Sequence, residues 1–126
     1  MRLDQTIDSG CAMGGLLITL THPWTLHIMW LLHSNGPMRF GALRRGVAGI
    51  SARVLTVRLR TLEKHGFVTR SVASTSPPEV TYSPTSRIEE MGAIMEQLGQ
   101  LAARWQRDDA LRERPGTPAG EAASTR

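Results

Sequence analysis

The sequence predicts a mainly α domain that carries one small β-hairpin, an α+β class, and three observations predict it. Apolar residues recur at helical spacing in five separate stretches between Met13 and Trp105. Only one pair of short segments, residues 67–72 and 80–82, has strand character, and a polar loop with Pro77 and Pro78 separates them. Basic charge is also concentrated: Arg39, Arg44, Arg45, Arg53, Arg58, Arg60, Lys64 and Arg70 share residues 39–70 with a single acid, Glu63. The chain has 15 basic and 11 acidic residues, so the remainder carries seven bases against ten acids. An excess of seven positive charges on a helix pair and a hairpin is what a phosphate backbone attracts, and duplex DNA is the expected partner.

The first helix is predicted from Cys11 to Leu20, where Met13, Leu16, Leu17 and Leu20 form one stripe and Gly14 and Gly15 weaken it. Thr21 as cap and Pro23 in the first turn open a second helix over residues 24–33. It is apolar on nearly every side and so expected to be central and buried. Asn35, Gly36 and Pro37 end it. Phe40 and Leu43 give a short third helix its inner face, with Arg44 and Arg45 outside, and Val47 and Ile50 bracket a turn. Ser51 is an N-cap for a fourth helix that runs to about His65 and stops at Gly66. Leu55, Leu59 and Leu62 form its inner stripe, and Ala52, Arg53, Thr56, Val57 and Arg60 its outer face. After the hairpin, Thr85 caps a long helix striped by Ile88, Met91, Ile94, Met95, Leu98, Leu101, Ala102 and Trp105. The expected organisation is a flexible arm at residues 1–10, one domain over residues 11–107 and a disordered tail at residues 108–126.

A chain of 126 residues suits one domain with a modest aliphatic core. It has no apolar run long enough to span a membrane, and its polar, acid-containing N-terminus argues against a secretory signal. A lone cysteine, Cys11, points to a reducing compartment, so a cytoplasmic protein at the nucleoid is expected. His22, His27, His33 and His65 have no metal-ligand spacing, and nothing in the sequence calls for a cofactor. No nucleophile elbow, phosphate-cradling glycine motif or paired carboxylate suggests an enzyme.

An ordered set of short pieces then carries a resemblance. Trp24-Thr25, Gly36-Pro37, Arg39-Phe40, Leu43-Arg44-Arg45 and Gly49-Ile50-Ser51 lead into Leu55-Thr56, Arg58-Leu59 and Leu62-Glu63. Gly66-Phe67-Val68-Thr69-Arg70, Pro77-Pro78, Val80 and Tyr82-Ser83 follow. Together they closely resemble the HxlR-type bacterial transcriptional regulators, relatives of the MarR group, over roughly residues 11–105. The resemblance implies a winged helix-turn-helix, dimerised through its terminal helices on a pseudo-palindromic operator and repressing until an oxidant, an electrophile or a small ligand intervenes. Pro23, Ala12 and Glu79 depart from the usual family pattern, Glu79 at a hairpin position that is commonly basic.

The expected DNA-contacting set is Arg39, Ser51, Ala52, Arg53, Thr56, Arg58, Arg60, Arg70, Ser74, Thr75 and Ser76. Arg53, Thr56 and Arg60 share one helical face and reach a groove together, whereas Arg58 suits either a phosphate or an internal salt bridge. Dimer contacts are expected from Met13, Leu16 and Leu17 and from Met91, Ile94, Met95, Leu98, Leu101 and Trp105. Cys11 is either a small buried hydrophobe or a redox sensor activated at a helix start. Trp24 and Trp30 read as core, with a pocket for an apolar effector at the dimer interface as the alternative. A winged-helix protein-interaction module without sequence-specific DNA binding is the competing function.

Overall fold

The computed structural model describes residues 12–113. In chain order it contains α1 (Ala12–Leu20), α2 (Thr25–Asn35), β1 (Met38–Arg39), α3 (Phe40–Gly46), α4 (Ala52–Lys64), β2 (Val68–Ala73), β3 (Glu79–Pro84) and α5 (Ser86–Arg112). The described residues form two compact units, the first ending at Gly92 and the second beginning at Ala93 within α5. The expected arm, Cys11 and residues 114–126 of the expected tail lie outside the described residues.

The core of the first unit is aliphatic. Ile28, Met29 and Leu32 of α2, Leu43 of α3, Leu55 and Leu59 of α4, and Ile88 of α5 are fully buried. Val47, Ile50, Leu62, Phe67, Val68 and Tyr82 close around them. Burying each such side chain is worth ~1.5–3 kcal/mol, which is why the leucine and isoleucine stripes fix how the helices turn.

Around α1 and α2 the apolar stripe of α1 stays on the surface, and two expectations for α2, its cap and its burial, are corrected. In α1 the buried positions are Gly14 and Thr19, while Met13, Leu16, Leu17 and Ile18 are exposed. The apolar stripe is left outside. Thr21 does not cap α2; its hydroxyl donates to the Leu17 carbonyl (2.7 Å) and closes α1. Trp24 takes the N-cap position of α2 with φ 74°, a left-handed conformation that costs a non-glycine residue of order 1–3 kcal/mol. Nor is α2 buried all round, since Leu26 and Trp30 are exposed.

The hairpin is part of a three-stranded antiparallel sheet in the order β1-β3-β2. Val68 pairs with Pro84 at one end of the β2–β3 ladder and Ala73 with Glu79 at the other, so the prolines sit in the loop. The additional strand β1 pairs Met38 with Tyr82 and Arg39 with Thr81. Two residues have no period for a sequence to display.

α4 is closed at both ends. At its start the Ser51 hydroxyl accepts from the Val54 amide (3.1 Å). Past its end, Gly66 has φ 80°, and residues at the start of α5 bind the freed carbonyls. The Thr85 hydroxyl donates to the Gly66 carbonyl (2.6 Å), and Arg87 Nη1 donates to the His65 carbonyl (2.9 Å). Thr85 Oγ1 in turn accepts from the Arg87 amide (3.2 Å), so one hydroxyl caps α5 and ties it to α4. A cation at a helix C-terminus is also favoured by the macrodipole.

Two further contacts join α2 to the first turns of α5. His33 Nδ1 lies 3.2 Å from Glu89 Oε1. Its ring covers Gly92, where an added Cβ would come within 2.2 Å of it. Residues 108–112 continue α5 where the loss of apolar periodicity suggested a disordered tail. Arg, Ala and Leu are good helix formers without a buried face, and Asp109 pairs with Arg112 one turn on.

Candidate nucleic-acid interface

The leucine seam of α4 points inward, so its opposite face points out. Arg53, Arg60 and Lys64 are exposed there, with Val57 among them. Lys64 lies one helical turn after Arg60 and is exposed on the same face, although the sequence reading counted only its charge. Ser51 is exposed but its oxygen is engaged in capping, and Ala52 is half-buried. Thr56 is half-buried as well, and its hydroxyl donates to the Ala52 carbonyl (2.8 Å), which leaves its oxygen free only to accept.

The wing adds Arg70, exposed on β2 at the register position opposite Tyr82. Ser74, Thr75 and Ser76 are exposed at the tip, where the Thr75 hydroxyl donates to the Pro77 carbonyl (2.8 Å). Arg39 is not a free cation. Its Nη2 lies 2.9 Å from Glu79 Oε1 across the β1–β3 pair, with both side chains largely open to water. Such a pair is worth at most about 1 kcal/mol, so a phosphate can compete for Arg39.

Arg58 is neither free nor in a salt bridge. Its Nε donates to the Pro23 carbonyl (2.8 Å), bracing the middle of α4 against the turn before α2. That turn is the one strained at Trp24, and the Trp24 ring also lies 3.6 Å from the Cβ position of Gly49. Sequence spacing offers no signal for this tie, because the acceptor is a backbone carbonyl 35 residues away.

Of the residues expected at a dimer contact, Met13, Leu16, Leu17, Ile94, Leu98 and Trp105 are exposed, and Met91 and Leu101 half-buried. Met95 is the exception: it is buried and so unavailable to a partner. Among the described residues no three His, Cys, Asp or Glu side chains are grouped to hold a metal. No helix among them is long and apolar enough to cross a membrane.

An outward basic helix beside a β-hairpin is the geometry of a winged helix-turn-helix, and the sequence model of one such family, the HxlR-like helix-turn-helix proteins, matches residues 19–110. The chain belongs to that family. A relative in Synechocystis, an uncharacterized HTH-type transcriptional regulator, is 32% identical over 104 residues, which are 81% of this chain and 76% of that one. A solved transcriptional regulator of the MarR family from Enterococcus faecalis V583 is 31% identical and superposes with a TM-score of 0.68, covering 86% of this chain and 98% of its own. The quinone-bound YodB of Bacillus subtilis is 26% identical with a TM-score of 0.64, covering 75% and 98% respectively. The protein is thus an HxlR-type, DNA-binding transcriptional regulator with a winged helix, in a family of regulators and not of enzymes.

Arg58→Lys keeps the charge but loses the Nε donor. It should cost about 1 kcal/mol of stability in a denaturant titration, the usual net worth of one hydrogen bond. An unchanged midpoint would mean the Pro23 tie contributes nothing and Arg58 serves only as a cation.

Proposed function

We propose that the protein binds a pseudo-palindromic operator as a homodimer and represses a gene until an oxidant, an electrophile or a small ligand releases it. The observation that carries the reading is the outward face of α4, where Arg53 and Arg60 are exposed opposite a fully buried leucine seam. Arg in that position reads guanine through O6 and N7, and the exposed Arg70 on the wing suits a phosphate. Arg53→Ala and Arg60→Ala should therefore each lower operator affinity by ~1–3 kcal/mol, and far more than they lower affinity for random duplex. Arg70→Ala should weaken binding to both alike and flatten the salt dependence by about one unit. Equal losses of Arg53→Ala and Arg60→Ala on every sequence would reduce both residues to phosphate anchors.

Pairing of two copies is supported by the apolar side chains left in water: Met13, Leu16 and Leu17 on α1, and Ile94, Leu98 and Trp105 on α5. A two-fold pair covers such stripes with themselves and sets operator half-sites about one helical turn, ~34–36 Å, apart. Leu98, 54% exposed, is the test position. Leu98→Asp should give a monomer by light scattering at micromolar concentration and lose operator affinity. A monomeric wild type, with Leu98→Asp binding normally, would end the dimer reading.

Cys11 immediately precedes Ala12, the first residue of α1, and YodB has been solved with quinone bound. A thiol at a helix start is drawn toward thiolate, the form that adds to quinones or reacts with diamide to give a disulfide. With one cysteine per chain, the disulfide partner is a small thiol or the second subunit's Cys11. Diamide or a quinone should release DNA from the wild type and leave Cys11→Ser bound. Identical behaviour of the two proteins would leave a non-covalent effector as the signal.

A further inference from the structure

The centre of the outward face of α4 is a valine. At 3.6 residues per turn, the direction opposite Leu55, Leu59 and Leu62 falls among Arg53, Val57, Arg60 and Lys64. Val57 lies one turn after Arg53 and one turn before Arg60, and it is 46% exposed. The core face of this helix is already supplied by three leucines, each buried. A β-branched residue is also a poorer helix former than Ala, Arg or Lys at such a site. Local stability therefore gives no reason for valine here, where a surface that binds DNA would meet the groove floor.

The chemistry of that floor is limited. The major-groove edges of adenine, guanine and cytosine offer hydrogen-bond donors and acceptors, which valine cannot use. Thymine alone adds an apolar group, its 5-methyl. The neighbouring cations favour nucleic acid over an apolar protein surface as the occupant, since they surround Val57 with charge that phosphates and guanines satisfy. We infer that Val57 is a specificity residue of the recognition helix, packing against the 5-methyl group of a thymine that lies between the bases addressed by Arg53 and Arg60. This rests on the operator-binding reading and deepens it. Thr56 stands beside Val57 with its hydroxyl proton committed to the Ala52 carbonyl, so its oxygen can only accept, which suits an adenine or cytosine amino group.

The test uses the full chain and duplexes selected by it from a random pool. Each thymine of a selected duplex is replaced in turn by deoxyuridine, which lacks only the methyl group. At one thymine position per half-site the wild type should lose about fourfold in affinity, the worth of one buried aliphatic carbon. Val57→Ala should bind the thymine and uridine versions of that position equally, while both proteins respond alike to uridine elsewhere. The thermal midpoint of Val57→Ala should equal or exceed that of the wild type, which separates lost contact from lost fold. Wild-type indifference to uridine at every position would overturn the inference, as would a Val57→Ala protein that remains sensitive at the same thymine. If the pool yields no preferred duplex at all, the operator reading itself fails and takes this inference with it. Enrichment followed by indifference to uridine fails the inference alone.

Discussion

The burial of one face of α4 is the constraint from which the interface follows. Leu55, Leu59 and Leu62 have almost no exposed surface, so rotating the helix about its axis would expose hydrophobic area worth several kcal/mol. That cost fixes which residues face outward. Arg53, Val57, Arg60 and Lys64 are presented to solvent because the seam behind them cannot move. A binding surface built this way is rigid without being buried, which a recognition helix needs if its side chains are to meet base edges in register.

Burial sets the rotation of α4 but leaves its tilt and axial position open, and polar ties complete the placement. Ser51 closes the first turn, Arg58 joins the middle to the Pro23 carbonyl, and Thr85 and Arg87 bind the carbonyls of Gly66 and His65 just past the last turn. Each is modest alone, about 1 kcal/mol for an ordinary hydrogen bond. Their value lies in where they lead. The Arg58 tie runs to the turn between α1 and α2, and those of Thr85 and Arg87 run to the start of α5. Each tie thus joins α4 to an element that the leucine seam alone would not hold in register with it.

Charge on the interface is less free than a count of bases suggests. Of the eight basic residues between Arg39 and Arg70, Arg39 is paired with Glu79 and Arg58 is occupied with a backbone carbonyl. The Arg39–Glu79 pair is exposed and weak, so it tempers attraction to phosphate without abolishing it. The Arg58 tie is directional and engages its Nε with a backbone carbonyl. The wing presents Arg70 and a polar tip at residues 74–76 to solvent, with Pro77 and Pro78 in the loop between its two strands.

Much of this was legible in the sequence, and for a common reason. The leucine seam, the Ser51 cap, the Gly66 stop, the hairpin and the outward Arg53 and Arg60 are all set by residues within about one helical turn or one strand pair of each other. Local patterns of that range are what periodicity and capping report. What only the tertiary structure decided has longer reach. That Arg58 binds Pro23, that Thr85 and Arg87 close α4, that β1 joins the sheet and that His33 covers Gly92 all join residues far apart in the chain. Several of the acceptors are backbone carbonyls, which every residue carries, so no residue type marks them. The same limit explains α1: its Met13, Leu16, Leu17 stripe is visible in the sequence, but whether such a stripe turns inward or outward depends on the surface it meets. Here Gly14 and Thr19 are the buried positions and the stripe is outside. The sequence by itself determined the helices, the hairpin and which face of α4 turns outward, because those follow from local patterns; packing between distant elements determined β1 and which cations carry a polar partner.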